Sequence, residues 1–408
     1  MNPLLTNFAK YQLDLLANSS LGLDATPHQP PLSILSQQQC AEAITTIQAW
    51  DGYKPTPLLS LSGLSRQVGV GQIWCKDESS RFGLGSFKAL GGAYAVYRQL
   101  VRLVQQQTGQ NATVFDLQFG KYHEIISQVT VTTATDGNHG LSVAWAAKKF
   151  GCQCVIYLHE QVSKDRAAQI AAYDAQIVRV VGNYDDSVRQ SASDAERNHW
   201  LLVADTSYLG YLDVPCNVMQ GYTVMIEEVI EQLPFGLQPS HVFVQAGVGS
   251  LAAAIFGYLC QRWTEPPLFI VVEPKQAACL YTSNRQGTLA TISGDLNTFM
   301  ACLSAGVPSL VAWQILQRVA DFFLTIPDAA ALRCMRLLAN GVNGDPAIVA
   351  GESGCAGVAA LLTVLAHPNI AQQLKLDNNS CILLFNTEGA TDAAIYQKVL
   401  KASDSSLK

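Results

Sequence analysis

Short, nearly uncharged, β-branched runs alternate with longer amphipathic segments along most of this chain, and that alternation narrows its possible folds more than any other feature. Strands are predicted over Ile73 to Lys76, Val129 to Ala134, Gln153 to Leu158, Gln176 to Val181, Trp200 to Ala204, His241 to Gln245, Leu268 to Glu273 and Cys381 to Phe385. Between them lie helical stretches such as Phe87 to Gln105, His139 to Phe150, Lys164 to Ala172, Val214 to Gln232 and Leu251 to Trp263. Strand–helix alternation of this kind builds parallel sheets through crossover connections. Near-continuous apolar strands such as Cys154-Val155-Ile156-Tyr157-Leu158 suit sheets covered on both faces.

Composition fits that picture and excludes several others. Hydrophobic residues make up 49% of the 408 and charged ones 14%, so large buried elements are expected, divided over two domains. A formal charge of −6 argues against nucleic acid as a partner, whose phosphates call for a basic footprint. The first residues, Met1 to Tyr11, mix apolar and polar types, and neither a signal peptide nor an anchor is expected there. The longest apolar stretch, near Val242 to Leu259, is broken by Gln245, Gly247, Gly249 and Ser250, so no membrane span is expected. Eleven cysteines, odd in number and scattered through apolar segments, read as buried reduced thiols in a cytoplasmic protein. Cys152 and Cys154 share a strand face, yet no second pair at metal-site spacing accompanies them, and no metal site is expected.

The chemistry-bearing residues gather where strands end. Lys88 lies between a buried strand and a helix start, a place that lowers an amine's pKa and suits imine formation with a carbonyl cofactor. Gly247-Val248-Gly249-Ser250 leads from an apolar strand into an alanine-rich helix. Two glycines allow close backbone approach, the helix start favours an anion, and Ser250 adds a hydroxyl. A tight turn with glycine for geometry alone explains that stretch equally well, and the spacing is wrong for a nucleotide P-loop. Thr135-Asp136-Gly137-Asn138-His139-Gly140 forms another strand-to-helix turn, in which Asn and Asp serve either as caps or as ligands. The crevice outside the carboxyl ends of parallel strands is where such folds place ligands. Asn138 there can bond a cofactor hydroxyl, with the carboxylate of Asp136 beside it; His139 is read as a structural hydrogen-bonder. Asp205 and Thr387-Glu388-Gly389 also follow strands, and Asn386 and Thr387 offer a neutral hydrogen bond to a pyridine nitrogen. Gln286 to Asn297 reads as a long loop and Lys401 to Lys408 as a frayed tail.

Taken in order, Ser86-Phe87-Lys88, Gly137-Asn138-His139 and the glycine loop resemble the signals of fold-type II pyridoxal 5'-phosphate (PLP) enzymes, the tryptophan synthase β and threonine dehydratase group. Asp136, Met219-Gln220-Gly221-Tyr222, Gln245-Ala246, Val272-Glu273-Pro274, Cys279-Leu280-Tyr281, Gly351-Glu352-Ser353-Gly354 and Thr387-Glu388-Gly389 are most similar to the diaminopropionate ammonia-lyases among them. The resemblance runs from about Lys54 to Asp392. It implies an α/β fold of two open, twisted, mainly parallel sheets flanked by helices, with the cofactor in the cleft between domains. A large PLP-binding domain of residues 1–97 and 215–408 is expected around a small domain of residues 98–214.

The same resemblance implies that Lys88 holds PLP as an imine, that Asn138 contacts the ring hydroxyl and that Gly247 to Ser250 bind the phosphate. Proton abstraction from Cα falls to Lys88 for one substrate enantiomer and to Asp136 for the other; Asp205 binds the β-amino end. The implied reaction is elimination of ammonia from 2,3-diaminopropionate to pyruvate and ammonia, by a homodimer. The alternative is a lyase or β-replacement enzyme for another β-substituted amino acid, serine- or threonine-like, or a catalytically altered PLP-binding relative. The chain departs from the family at Leu141-Ser142, where Arg-Gly is usual, at Asn386 in place of Ser, and at Ala390 in place of Asp.

Overall fold

The computed structural model describes residues 2–21, 28–31, 33–135, 137–160, 162–182 and 184–402. The chain divides into two compact units. One comprises Met1–Leu35, Pro55–Ser86 and Met225–Lys408; the other Ser36–Lys54 and Phe87–Val224. These limits differ from the 97/98 and 214/215 divisions expected from sequence. The reason is packing: helix Lys88–Thr108 lies along helix Asn138–Phe150, and helix Gln37–Gln48 packs on it in turn, so neither can be split from the second unit.

The first unit carries a seven-stranded sheet of Asp14–Ala17 (β1), Leu58–Ser60 (β2), Gln72–Asp77 (β3), His241–Gln245 (β8), Leu268–Pro274 (β9), Phe322–Ile326 (β10) and Cys381–Asn386 (β11). The spatial order is β1-β10-β9-β8-β11-β3-β2. The five inner strands run parallel, and the two short edge strands, β1 and β2, are antiparallel to their neighbours. Inner strands such as His-Val-Phe-Val-Gln of β8 are buried at every position, as the unalternating apolar runs require. The second unit holds Thr130–Ala134 (β4), Gln153–His159 (β5), Gln176–Val180 (β6) and Leu201–Leu202 (β7), all parallel, in the order β6-β5-β4-β7. β4 reads Thr-Val-Thr-Thr-Ala yet is wholly buried. Its threonines are tolerated because Thr132 Oγ1 donates to the Val155 carbonyl at 2.8 Å and Thr133 Oγ1 to that of Ala134 at 3.1 Å.

Two features of this architecture set the stage for chemistry. Neighbouring parallel strands deliver their following loops to one sheet edge, so the segments after β3, β8 and β11 emerge side by side in the first unit, and those after β4 and β7 in the second. The segment after β3 is also pinned by buried charge. Arg81 meets Glu78 at 2.8 Å and Glu228 at 2.7 Å, Lys76 meets Glu228 at 2.7 Å, and all four side chains are at most 1% exposed. Two cations and two anions cancel, which is what makes their burial tolerable.

Candidate active site

Lys88 opens helix Lys88–Thr108 without a side-chain cap, one residue after Phe87. Glycines let that helix sit close to its neighbours. A Cβ on Gly91 would fall 2.4 Å from a ring carbon of Tyr222 and 2.6 Å from the Val218 carbonyl; one on Gly92 would fall 2.5 Å from Ser142 Oγ. The lysine is thereby drawn into a largely buried setting. Its Nζ donates to Asp205 Oδ2, lies 5.5 Å from the centre of the Phe87 ring, and also interacts with the Tyr222 hydroxyl. Burial pushes the Tyr222 phenol well above its ordinary range, with Lys88 opposing, so Tyr222 stays neutral.

Asp205 follows β7, which is shorter than the expected Trp200 to Ala204 run. The hydroxyl of Tyr211 takes over where the ladder stops: it accepts from the Ala204 amide at 3.0 Å and donates to the Leu202 carbonyl at 2.8 Å. Burial alone would raise the Asp205 carboxyl, but the charge of Lys88 and the Lys88 hydrogen bond hold it far below the usual carboxylate range. His139 Nε2 donates to the Val203 carbonyl at 2.7 Å, which leaves Nδ1 without a hydrogen on the neutral ring; Nδ1 faces Asp205 Oδ2 at 4.0 Å. Burial lowers the His139 pKa, and so favours that neutral form. Asn138 is the first residue of helix Asn138–Phe150, 8% exposed, after Gly137 at φ 153°. Asp136 lies outside the described residues.

In the first unit, Gly247 to Ser250 links β8 to helix Ser250–Arg262, which has no side-chain cap. Gly249 adopts φ 98°, and a Cβ there would meet Leu316 and Leu280 methyls at 3.1 and 3.2 Å. The loop's carbonyls face protein donors: Gly247 O accepts from Cys279 Sγ at 3.5 Å and Val248 O from the Ser309 amide at 2.9 Å. Carbonyls committed on one side and an uncapped helix N-terminus on the other fit a phosphate. Nearby, Gln245 Nε2 lies 2.8 Å from the Gly354 carbonyl, 3.0 Å from that of Phe385, and 3.0 Å from Thr387 Oγ1. Nε2 has two hydrogens to share among these oxygens; Thr387 Oγ1 can accept one of them with its own hydrogen still to offer. Asn386 spends its amide hydrogens on Asp77 Oδ1 at 2.8 Å and the Val349 carbonyl at 3.1 Å, so its side chain braces β11 against β3. Of this pair, Thr387 is the one suited to donate to a ring nitrogen. Ser86, just before Lys88, bridges to Glu388, and the Gly389 amide donates to the Gly85 carbonyl at 2.9 Å.

Tyr211 and Gln245 are contributors whose parts in these networks sequence reading leaves open. Tyr208-Leu209-Gly210-Tyr211 carries a turn signal in Gly210, but the partner of a tyrosine hydroxyl is set by tertiary packing.

Comparison with known proteins decides the family. Residues 49–386 match the family described as pyridoxal-phosphate dependent enzyme. Diaminopropionate ammonia-lyase of Escherichia coli K12 is 36% identical over 395 residues, covering 95% of this chain and 96% of that protein. This chain belongs to the diaminopropionate ammonia-lyase family of fold-type II PLP enzymes. The counterpart from Salmonella typhimurium is 37% identical, covering 90% of this chain and 93% of that one. The crystal structure of the Escherichia coli enzyme in complex with D-serine superposes with a TM-score of 0.89 at 34% identity, covering 98% of this chain and 99% of that one. Tomato threonine deaminase isoform 2, at 19% identity and a TM-score of 0.72, shares the fold. The expected α/β class, cofactor and enzyme type stand with the family. In the second unit Lys88 offers an amine; in the first, the glycine loop offers an uncapped helix start and Thr387 a hydroxyl.

Proposed function

We propose that the protein eliminates ammonia from 2,3-diaminopropionate with PLP as cofactor, so that one diaminopropionate and one water give one pyruvate and two ammonia. The observation that carries this reading is the pairing of the Lys88 amine with Asp205 in a chain similar over 95% of its length to diaminopropionate ammonia-lyases. A related structure from Escherichia coli contains an aminoacrylate-PLP azomethine reaction intermediate, the kind of species a β-elimination passes through.

When bound, PLP holds the substrate's α-amine covalently and withdraws electrons to acidify Cα. Lys88 is the residue to carry it, Gly247, Val248, Gly249 and Ser250 its phosphate, Asn138 its ring hydroxyl, and Thr387 its ring nitrogen. Asn386 supports that strand end. Lys88 Nζ, once freed, takes the Cα proton of one enantiomer, and the carboxylate beside it steadies the ammonium that results. Asp136 takes the proton of the other enantiomer. Asp205, ionised and largely buried, is an anion suited to hold the substrate's β-ammonium, so that nitrogen leaves already protonated as ammonia. A hydroxy amino acid offers no cation for that carboxylate, which is the physical reason to favour the diamino acid.

The proposal includes a cytoplasmic homodimer acting on a small amino acid. All eleven cysteines carry free thiols, as a reducing compartment would have them. Among the described residues no helix is long and apolar enough to cross a membrane. The deciding experiment assays pyruvate and ammonia from purified, PLP-loaded protein over diaminopropionate, serine, threonine and O-acetylserine. Diaminopropionate is expected to be used best, with two ammonia per pyruvate. Faster turnover of serine or threonine would shift the assignment to a hydroxy amino acid dehydratase.

A further inference from the structure

Glu273 is the next-to-last residue of β9 and is 0% exposed, yet no step above uses it. One carboxylate oxygen accepts from the Leu280 amide at 2.8 Å, the other from the Tyr281 amide at 2.7 Å. These amides belong to the first turn of helix Cys279–Gln286, whose own N-cap, Ala278, has no side-chain hydrogen bond to give. Burial pushes the carboxyl up to about 8, against the pull of those two amides. A carboxyl held at such a cost is there for the groups it fixes.

Those groups are the wall of the glycine loop. Cys279 Sγ reaches the Gly247 carbonyl at 3.5 Å. Both methyls of Leu280 lie within 3.3 Å of where a Cβ on Gly249 would sit, against a backbone at φ 98°. Of the two positions that touch the loop, Leu280 is itself held by Glu273 through its amide, and Cys279 is the residue next to it in the same helical turn.

We propose that Glu273 is a positioning residue for the cofactor's phosphate: through Cys279 and Leu280 it holds Gly247 to Ser250 with their carbonyls turned away and their amides turned to the anion. The inference rests on the reading of that loop as the phosphate site. It differs from mere helix capping in one measurable respect. A cap supports the fold alike for any ligand, whereas a loop support matters only to a ligand that has a phosphate.

The test titrates full-length protein with PLP and, separately, with pyridoxal, which lacks the phosphate, for wild type, Glu273→Gln and Glu273→Ala. PLP affinity is expected to fall about tenfold or more in Glu273→Ala and less in Glu273→Gln, which keeps one acceptor, while pyridoxal affinity changes less than about twofold. Where Glu273→Ala fails to fold, Leu280→Ala carries the same expectation, because it removes the contact through which the effect passes. Equal losses for both ligands, or no loss for either, overturn the inference. Gly249→Val separates this from failure of the underlying reading. If that change leaves the preference for PLP over pyridoxal intact, the loop is not the phosphate site; if it abolishes the preference while Glu273 variants keep it, only the role of Glu273 is wrong.

Discussion

Replacing Gly249 by alanine is expected to cost far more than the same change at Gly247, two residues away in the same loop. At Gly249 the backbone sits at φ 98°, where an L side chain pays roughly 1–2 kcal/mol for its Cβ. The new methyl would meet Leu316 and Leu280 at 3.1 to 3.3 Å, and displacing packed leucines adds about 1–2 kcal/mol. The sum is roughly 2–4 kcal/mol, or about 30- to 1000-fold as an equilibrium constant. Gly247 has no positive φ, and its Cβ would meet the Cys302 carbonyl at 3.3 Å, so a shift of a few tenths of an ångström and less than about 1 kcal/mol suffices. The strain at Gly249 must be expressed somewhere. A loop that keeps its shape loses folding stability; a loop that relaxes loses its grip on phosphate. Urea unfolding of the cofactor-free protein and PLP titration of the same preparation together capture the total. A combined loss below about 0.5 kcal/mol for Gly249→Ala, or equal losses at the two glycines, would refute the reasoning.

Other expectations follow from the charged groups. Glu228→Gln leaves Lys76 and Arg81 facing Glu78 alone in a site at most 1% exposed, and should destabilise by about 3–5 kcal/mol in urea unfolding; a loss under about 1 kcal/mol would mean the cluster is wetter than it looks. Arg81 and Lys76 outweigh burial and hold the Glu228 carboxyl below its ordinary value of about 4.3, so its contribution is present above that pH and is lost as pH falls through the lowered value. The acid side of the stability profile should accordingly be flatter in Glu228→Gln. Asp136→Asn should keep cofactor binding and depress elimination from one enantiomer of diaminopropionate much more than from the other, whereas Asp205→Asn should impair both; steady-state kinetics with each enantiomer will show near wild-type rates if either acid is only structural. Tyr211→Phe, which removes the clamp on the segment before Asp205, should lower kcat for both enantiomers with PLP affinity unchanged.

The inner strands are legible in the sequence because they are buried on both faces: Leu268 to Glu273 and His241 to Gln245 carry unbroken apolar runs, and the structure extends the first by one residue and leaves the second unchanged. β1 and β2 are not, since strands of four and three half-exposed residues, paired on one side, carry no period-2 signal long enough to see. β10, Phe-Phe-Leu-Thr-Ile, is legible in principle but easily lost between two helices. Among the proposed site residues, Lys88 and the glycine loop are singled out by local chemistry at strand ends. The Asn386 side chain reads from sequence as a partner for the ring and turns out to brace the sheet, because whether an amide faces a ligand or the neighbouring strand depends on Asp77 and Val349, both distant in sequence. Glu273 is visible only as part of a motif; its task is defined by amides seven and eight residues downstream.

Borohydride reduction of the PLP-loaded protein, followed by peptide mapping, tests the central claim most directly. It should place one pyridoxyl group per chain on Lys88, and Lys88→Ala should take up no label and show no turnover. Label on another lysine, such as the buried Lys76, or turnover surviving in Lys88→Ala, would contradict the account.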